Sequence, residues 1–295
     1  MQTMRISEHS TEYHSKDFKW EDLRDEVESN PNYQHHVCPR PQSLHQSKDC
    51  LAMQFNDNPH SRKEDAKAWE SFHRRHSSGQ FFKERRYLLH EFPELSFSEN
   101  PSILLEVGCG SGSSVIPILR GNSAITVYAC DCSAETLSKA QQIVDASNIS
   151  NSNHRFFPFQ CDFPASSSSD FPFKSFDFVT LIFTLSAVPL RRMGGVVNEC
   201  FSVMKRGGLL LFRDYGMYDM TMLRFEPHKR VGESEYMRND GTRAYFFSLE
   251  TVRDLFVSAG FAEVELEFCC VNAVNRRKGN IMKRVWVHGK FRKPA

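Results

Sequence analysis

The residues best placed to do chemistry are Glu106, Gly108, Gly110, Gly112, Asp131 and Asp162. The three glycines follow the apolar run 103–107 at alternate positions, and Glu106 stands two residues before the first. Such a run reads as a buried strand, and the glycines as a sharp turn into a helix. Glycine has no Cβ, so a ligand can lie almost against the backbone, facing the amides that open the next helix. Asp131 and Asp162 close two later apolar runs. An acid about twenty residues past a glycine loop can grip both hydroxyls of a ribose. A later one can accept from an adenine amino group. A dinucleotide loop is spaced Gly-x-Gly-x-x-Gly, whereas this one is Gly-x-Gly-x-Gly. Acidic surroundings suit the positive sulfonium of S-adenosylmethionine, not a pyrophosphate. These six residues therefore form an expected S-adenosylmethionine site.

The elements that must position them alternate in type. Strands are expected at 103–107, 124–129, 155–160, 176–183 and 209–212, with helices opening at 113, 133 and 193 and another over 249–259. Segments 264–270 and 284–291 close the chain as a strand pair. This alternation predicts an α/β fold whose sheet is mostly parallel with one antiparallel strand near the end. Upstream, Ala66, Trp69, Phe72 and His73 share one face of a helix over 63–75. A second amphipathic helix is expected over 81–92, with Lys83, Arg85 and Arg86 among aromatics that suit either a core or stacked bases.

A formal net charge of +1 excludes a globally basic nucleic-acid coat, so any RNA surface must be a local cluster. Nine scattered cysteines without a Cys-x-x-Cys suit reduced thiols in a cytoplasmic or nuclear protein. Residues 1–60 are rich in Ser, His, Gln, Asn and Pro and are expected to be mostly disordered, apart from a short docking helix at 18–27. Their acids and lack of an apolar stretch argue against a signal peptide or presequence, and no run in the chain is long enough to span a membrane. His35, His36, Cys38, His45 and Cys50 fit no zinc spacing, so no metal is expected. Segment 213–247 is long for a strand-to-helix connection, and loops that long are usually functional. It interleaves arginines with Tyr215, Tyr218, Phe225, Tyr236, Tyr245 and Phe246, the composition that phosphates and exposed RNA bases require.

The glycine loop, its acids and the closing hairpin resemble the class I methyltransferases. That resemblance implies a Rossmann-like, mostly parallel seven-stranded sheet with one antiparallel strand and helices on both faces. Further elements narrow it: Phe81-Phe82-Lys83-Glu84-Arg85, Phe212-Arg213-Asp214-Tyr215-Gly216, Met222-Leu223-Arg224-Phe225, Asp240-Gly241-Thr242-Arg243 and Arg284-Val285-Trp286. These are similar to the tRNA N3-methylcytidine methyltransferases, which modify a cytidine in the anticodon loop. The likeness runs from about Asp65 to Pro294. It divides the chain into an extension (1–60), N-terminal helices acting as cofactor lid and RNA binder (61–100), and a methyltransferase domain (101–295) with a substrate-binding insertion at about 213–247.

Carried onto this chain, the resemblance implies cofactor contacts from Trp69, His73, Gly108, Asp131, Asp162, Phe163 and Ile182. His73 stands where the family commonly has tyrosine, and Phe163 where leucine is frequent. It also implies tRNA as partner, and for some members a helper such as an aminoacyl-tRNA synthetase. Arg213 and Asp214, just past the fifth strand, are the expected catalytic pair, with Asp214 accepting from the cytidine amine and Arg213 positioning the base. RNA contacts are expected from Lys83, Arg85, Arg86, Arg191, Arg224, Arg238, Arg243, Tyr245, Arg276 and Arg277. Two other readings fit the residues. A class I methyltransferase acting on a small molecule or protein would leave the basic insertion without a purpose. A non-catalytic RNA-binding module would leave the glycines and acids without one.

Overall fold

The computed structural model describes residues 15–38, 59–76, 83–96, 99–162, 175–275 and 279–295. The strands are β1 (Ser102–Val107), β2 (Ile125–Asp131), β3 (Phe156–Gln160), β4 (Phe176–Ile182), β5 (Met204–Tyr215), β6 (Glu235–Met237), β7 (Arg243–Tyr245), β8 (Ala262–Asn275) and β9 (Asn280–Arg292). The helices are α1 (Trp20–Ser29), α2 (Gln34–Val37), α3 (Pro59–Arg75), α4 (Leu88–Glu91), α5 (Val115–Gly121), α6 (Ala134–Ala146), α7 (Leu190–Val203) and α8 (Leu249–Ser258). Seven strands make one sheet in the order β3-β2-β1-β4-β5-β9-β8, and β6 pairs with β7 apart from it. Within the sheet β9 alone runs against its neighbours, as the sequence predicts.

Side chains alternate across a strand, so β1 sends Leu105 to one face and Leu104 to the other. Leu105 packs with β4, α7 and α8 around Val179, Val197 and Phe256. Leu104 packs with β2, α5 and α6 around Val127, Ile118 and Ala140. Ser133 caps α6 by accepting from the Thr136 amide at 3.2 Å.

Three expectations need correcting. Strand β5 starts at Met204 and continues through Gly207-Gly208, because a register shift against β4 absorbs the glycines. The second amphipathic helix shrinks to α4. Before it, the chain is held along the turn after β1 by a bond from the Arg85 amide to the Ser113 carbonyl (2.9 Å), and this tertiary contact overrides helical periodicity. The aromatics of the insertion are mostly interior. Tyr218, Tyr236 and Phe246 are buried with Met222 against Leu23 and Val27 of α1. An inserted segment of this length must bury its own apolar groups, and α1 supplies the other half of that small core.

Chain 15–38 is tied down over this core. Trp20 stacks on Phe268 (4.7 Å) and donates from Nε1 to the Met217 carbonyl (3.2 Å). Arg230 donates to the carbonyls of His35 (2.8 Å) and Cys38 (2.7 Å). His36 meets the Tyr236 hydroxyl at 2.8 Å. Among the described residues no helix is long and apolar enough to cross a membrane, and no group of His, Cys, Asp or Glu could hold a metal ion.

Candidate active site

Parallel strands leave ligand space beyond their carboxyl ends, where the strand order reverses. Here that point lies between β1 and β4. A cavity of about 390 Å³ opens there, roofed by Asp65, Ala66, Trp69, Phe72 and His73 of α3. Its size is ordinary for a small-molecule site.

The turn after β1 is built for close approach. Gly108 has φ +70°, and a Cβ there would lie 2.5 Å from Thr184 Cγ2. Gly110 has φ +52°, and a Cβ there would point toward His73 Cε1 at 3.8 Å, into the gap between turn and roof. The Gly110 amide donates to Asp131 Oδ2 (3.0 Å), while Asp131 Oδ1 accepts from the Ser133 amide (3.1 Å). Asp131 therefore fixes the turn and the start of α6 while lining the cavity. Asp162 and Ile182 line it too. Burial pushes the His73 pKa down, so its ring faces the cavity neutral. Apolar roof, bare glycine backbone and two carboxylates fit an adenosyl group that carries a cation and offers hydroxyls and an amine.

Other expected residues fall elsewhere. Glu106 and Gly112 lie behind the turn and are not part of the cavity wall. Glu106 is buried, and its Oε2 has no hydrogen-bond partner among the described residues. Burial pushes its pKa up to about 7, against the opposing pull of Arg85 and Ser114. A carboxyl raised from 4.5 to about 7 on folding holds its proton more tightly in the folded chain, so its contribution to stability falls as pH rises through that window. Glu106→Gln cannot lose that proton. Between pH 5 and pH 8 the variant should gain on the parent by about 2 to 3 kcal/mol, read from urea midpoints at both pH values. An unchanged difference would place the titration elsewhere.

The cavity wall also holds Arg85, Phe183, Ser186, Tyr215, Thr221, Arg238 and Arg243. Arg85 donates from Nη1 to Ser114 Oγ (2.9 Å), and its guanidinium lies 5.5 Å from the Phe183 ring centroid. Phe183 has φ +56°, a left-handed conformation rare for an aromatic residue, and its ring lies 5.1 Å from that of Tyr215. Thr184 and Asp65 also line the cavity and carry no sequence signal that marks them as cavity residues.

Asp214 is fully buried beneath this wall. Its Oδ2 accepts from the Ser186 amide and its Oδ1 from the Tyr215 amide, both at 2.9 Å. Burial raises its pKa to about 6. The expected direct contact with a base amine is therefore not available to it in this arrangement. Arg213 points away from the cavity. Its guanidinium sits between the rings of Tyr87 (4.8 Å) and Trp286 (4.5 Å) and pairs with Glu91, which also meets His288 at 3.0 Å.

Of the expected RNA contacts, Arg85, Arg238 and Arg243 meet at the cavity, whereas Lys83, Arg86, Arg191 and Arg224 are exposed outside it. Tyr245 is buried with Phe247 in the main core and cannot stack on an exposed base, because β7 turns its ring inward. Phe163, Arg276 and Arg277 lie outside the described residues.

Comparison with known proteins adds the family. A family model described as a methyltransferase domain matches residues 81–266. The Rattus norvegicus tRNA N(3)-cytidine methyltransferase METTL6 is 41% identical over 237 residues, covering 79% of this chain and 80% of that one. The Drosophila melanogaster tRNA N(3)-methylcytidine methyltransferase Mettl2 is 38% identical over 242 residues, covering 77% and 71%. Among solved structures, the Burkholderia thailandensis 1,6-didemethyltoxoflavin-N1-methyltransferase, with S-adenosylhomocysteine bound, shares the fold at TM-score 0.55 and 13% identity, covering 84% of this chain and 94% of that one. With a glycine turn, paired acids and sheet order of this kind, and relatives at this identity across most of its length, the chain belongs to the tRNA N(3)-cytidine methyltransferase family.

Proposed function

We propose that this chain transfers a methyl group from S-adenosylmethionine to N3 of a cytidine in the anticodon loop of tRNA. One observation carries the reading: a cavity roofed by α3 is lined both by the glycine turn with Asp131 and Asp162 and by Arg85, Arg238, Arg243, Phe183 and Tyr215. When bound, S-adenosylmethionine supplies an electrophilic methyl on sulfur. The chain's own residues do the rest. Asp131 holds ribose hydroxyls, Asp162 accepts from the adenine amine, and Trp69 and His73 cover the site and exclude water.

Cytidine N3 carries its lone pair at neutral pH, so no base is needed to make the nucleophile. In a stacked base N3 is unreachable, and the nucleotide must turn out into the cavity. Phe183 and Tyr215 offer ring faces to it, and Arg85, Arg238 and Arg243 offer donors to its carbonyl and flanking phosphates. Asp214 acts as a positioning residue, fixing the Ser186 and Tyr215 backbone that walls the base. The remaining expected contacts, Lys83, Arg86, Arg191 and Arg224, extend the RNA surface outside the cavity. An aminoacyl-tRNA synthetase or other helper protein presents the tRNA, in the cytoplasm or nucleus.

The test is methyl-labelled donor with total tRNA, with and without synthetases, followed by nucleoside analysis. Label in N3-methylcytidine supports the reading. Label in another nucleoside, or none in either arm, overturns it. Asp131→Ala should weaken S-adenosylhomocysteine binding roughly 100-fold, since two charge-assisted bonds and the ribose acceptor go together. Calorimetry showing near-parent affinity would remove Asp131 from the site.

A further inference from the structure

A chain of alternating charge runs along the cavity lining, from Asp162 through Arg192 and Asp65 to Arg243, and on to Glu235. Asp162, past β3, lies 3.8 Å from Arg192 Nη2. Arg192, on α7, donates from Nη1 to Asp65 Oδ2 at 3.4 Å. Asp65, on α3, accepts at Oδ1 from Arg243 Nε at 3.3 Å. Arg243, on β7, donates from Nη1 to Glu235 Oε1 on β6 at 2.9 Å. The Arg192 side chain is only 5% exposed, and Asp65 and Arg243 are 18% and 20% exposed. Pairs this sheltered are screened far less than surface pairs.

The links join parts with different tasks. Asp162 belongs to the cofactor end, whereas Arg243 and Glu235 belong to the insertion. Asp65 connects them and is the one member of this chain of five on the roof helix. Among the described side chains of α3, Phe72 is buried, and it lines the cavity with Ala66 and Trp69. A helix whose described apolar side chains line a cavity is ordered in part by what fills the space below it. A second tie to the insertion runs from Arg75 to Asp240 at 3.5 Å.

We infer that Asp65 is a positioning residue that makes donor binding and tRNA binding cooperative. The inference rests on the tRNA methyltransferase reading above. A donor under Trp69 and His73 orders α3. Asp65 on that helix then holds Arg243, and with it β6 and β7, in place for RNA. The cost of ordering is met by whichever ligand arrives first, so the second binds more tightly. The coupling must be equal in both directions.

The experiment measures tRNA affinity with and without saturating S-adenosylhomocysteine, and S-adenosylhomocysteine affinity with and without the tRNA that the labelling assay identifies. In the parent, each ligand should tighten the other by at least ~5-fold. Asp65→Asn should bring that ratio close to one, and Asp65→Glu should keep part of it. A merely structural role would weaken both affinities and leave the ratio intact. Should Asp65→Asn fail to fold by thermal melt, Arg243→Lys serves. It keeps the charge but loses the fork that spans Asp65 and Glu235, so tRNA affinity without donor falls as a contact is lost, and the ratio measured against that lowered affinity should fall as well. A parent ratio of one, or variants that keep the parent's ratio, would overturn the inference. Failure of the functional reading looks different: no tRNA acquires N3-methylcytidine.

Discussion

Asp214→Ala is expected to slow N3-methylcytidine formation at least ~100-fold, with S-adenosylhomocysteine affinity within about threefold of the parent. The carboxylate is fully buried and holds the amides of Ser186 and Tyr215, two residues of the cavity wall. Without it, two donors lose their acceptor and the wall relaxes. A misplacement of about 1 Å at a reacting centre is enough for a loss of this size. The donor end, built on Asp131 and the glycine turn, does not depend on these bonds. Asp214→Asn keeps one oxygen and should fall between the two. The same carboxyl has its pKa raised to about 6 by burial, so parent turnover should drop as pH falls through that value and the charge is lost. Above it, the negative charge behind the wall favours the cationic methylcytidine product. Single-turnover rates at saturating donor, followed from pH 5.5 to 8, test both statements. Turnover near the parent's in Asp214→Ala would discard the positioning role, and a collapse of donor affinity would move Asp214 to the other end of the site.

The largest expected loss of stability comes from Glu91→Ala, roughly 3–5 kcal/mol. Glu91 and Arg213 are both almost fully buried, with side-chain exposures of 1% and 3%. Removing the carboxylate leaves a guanidinium enclosed by Tyr87 and Trp286 and takes a partner from His288. Burial alone would raise the Glu91 pKa, but Arg213 and His288 outweigh it and hold the carboxyl below its ordinary 4.5. The stabilisation is therefore present above that value and fades as pH falls through the lowered one. Exchanging both partners, as in Glu91→Met with Arg213→Met, removes the buried charges together and should cost less than Glu91→Ala alone. Urea unfolding of the three proteins decides it. A loss below about 1 kcal/mol in Glu91→Ala would mean that the enclosed charge finds other compensation.

Much of the frame is legible in the sequence because it is written locally. Apolar runs ending in Val107, Asp131 and Ile182 give the strands, and the glycines after Val107 give the turn. Asp131 and Asp162 are readable because a strand end points one way only. The partnership of Glu91 with Arg213 is not readable, since 122 residues separate them and nothing near either names the other. Composition also fails to tell a buried ring from an exposed one. Tyr236, Tyr245 and Phe246 look like RNA-stacking residues beside their arginines, yet each is interior. The arginines divide in the same way: Arg230 is spent on backbone carbonyls while Arg238 and Arg243 reach the cavity. The tie of Arg85 to Ser113 and Ser114, which replaces an expected helix, is likewise a long-range fact.

The strap formed by 15–38 bears on how this protein can be cut. It resembles a loose leader by composition, and trimming to the catalytic body near residue 60 would look harmless. Trp20, Leu23 and Val27, however, are the lining against which Tyr218, Tyr236 and Phe246 rest. A shortened version would lay that greasy surface open to water, beside the segment proposed to meet the tRNA, and would clump or bind poorly for reasons unrelated to methyl transfer.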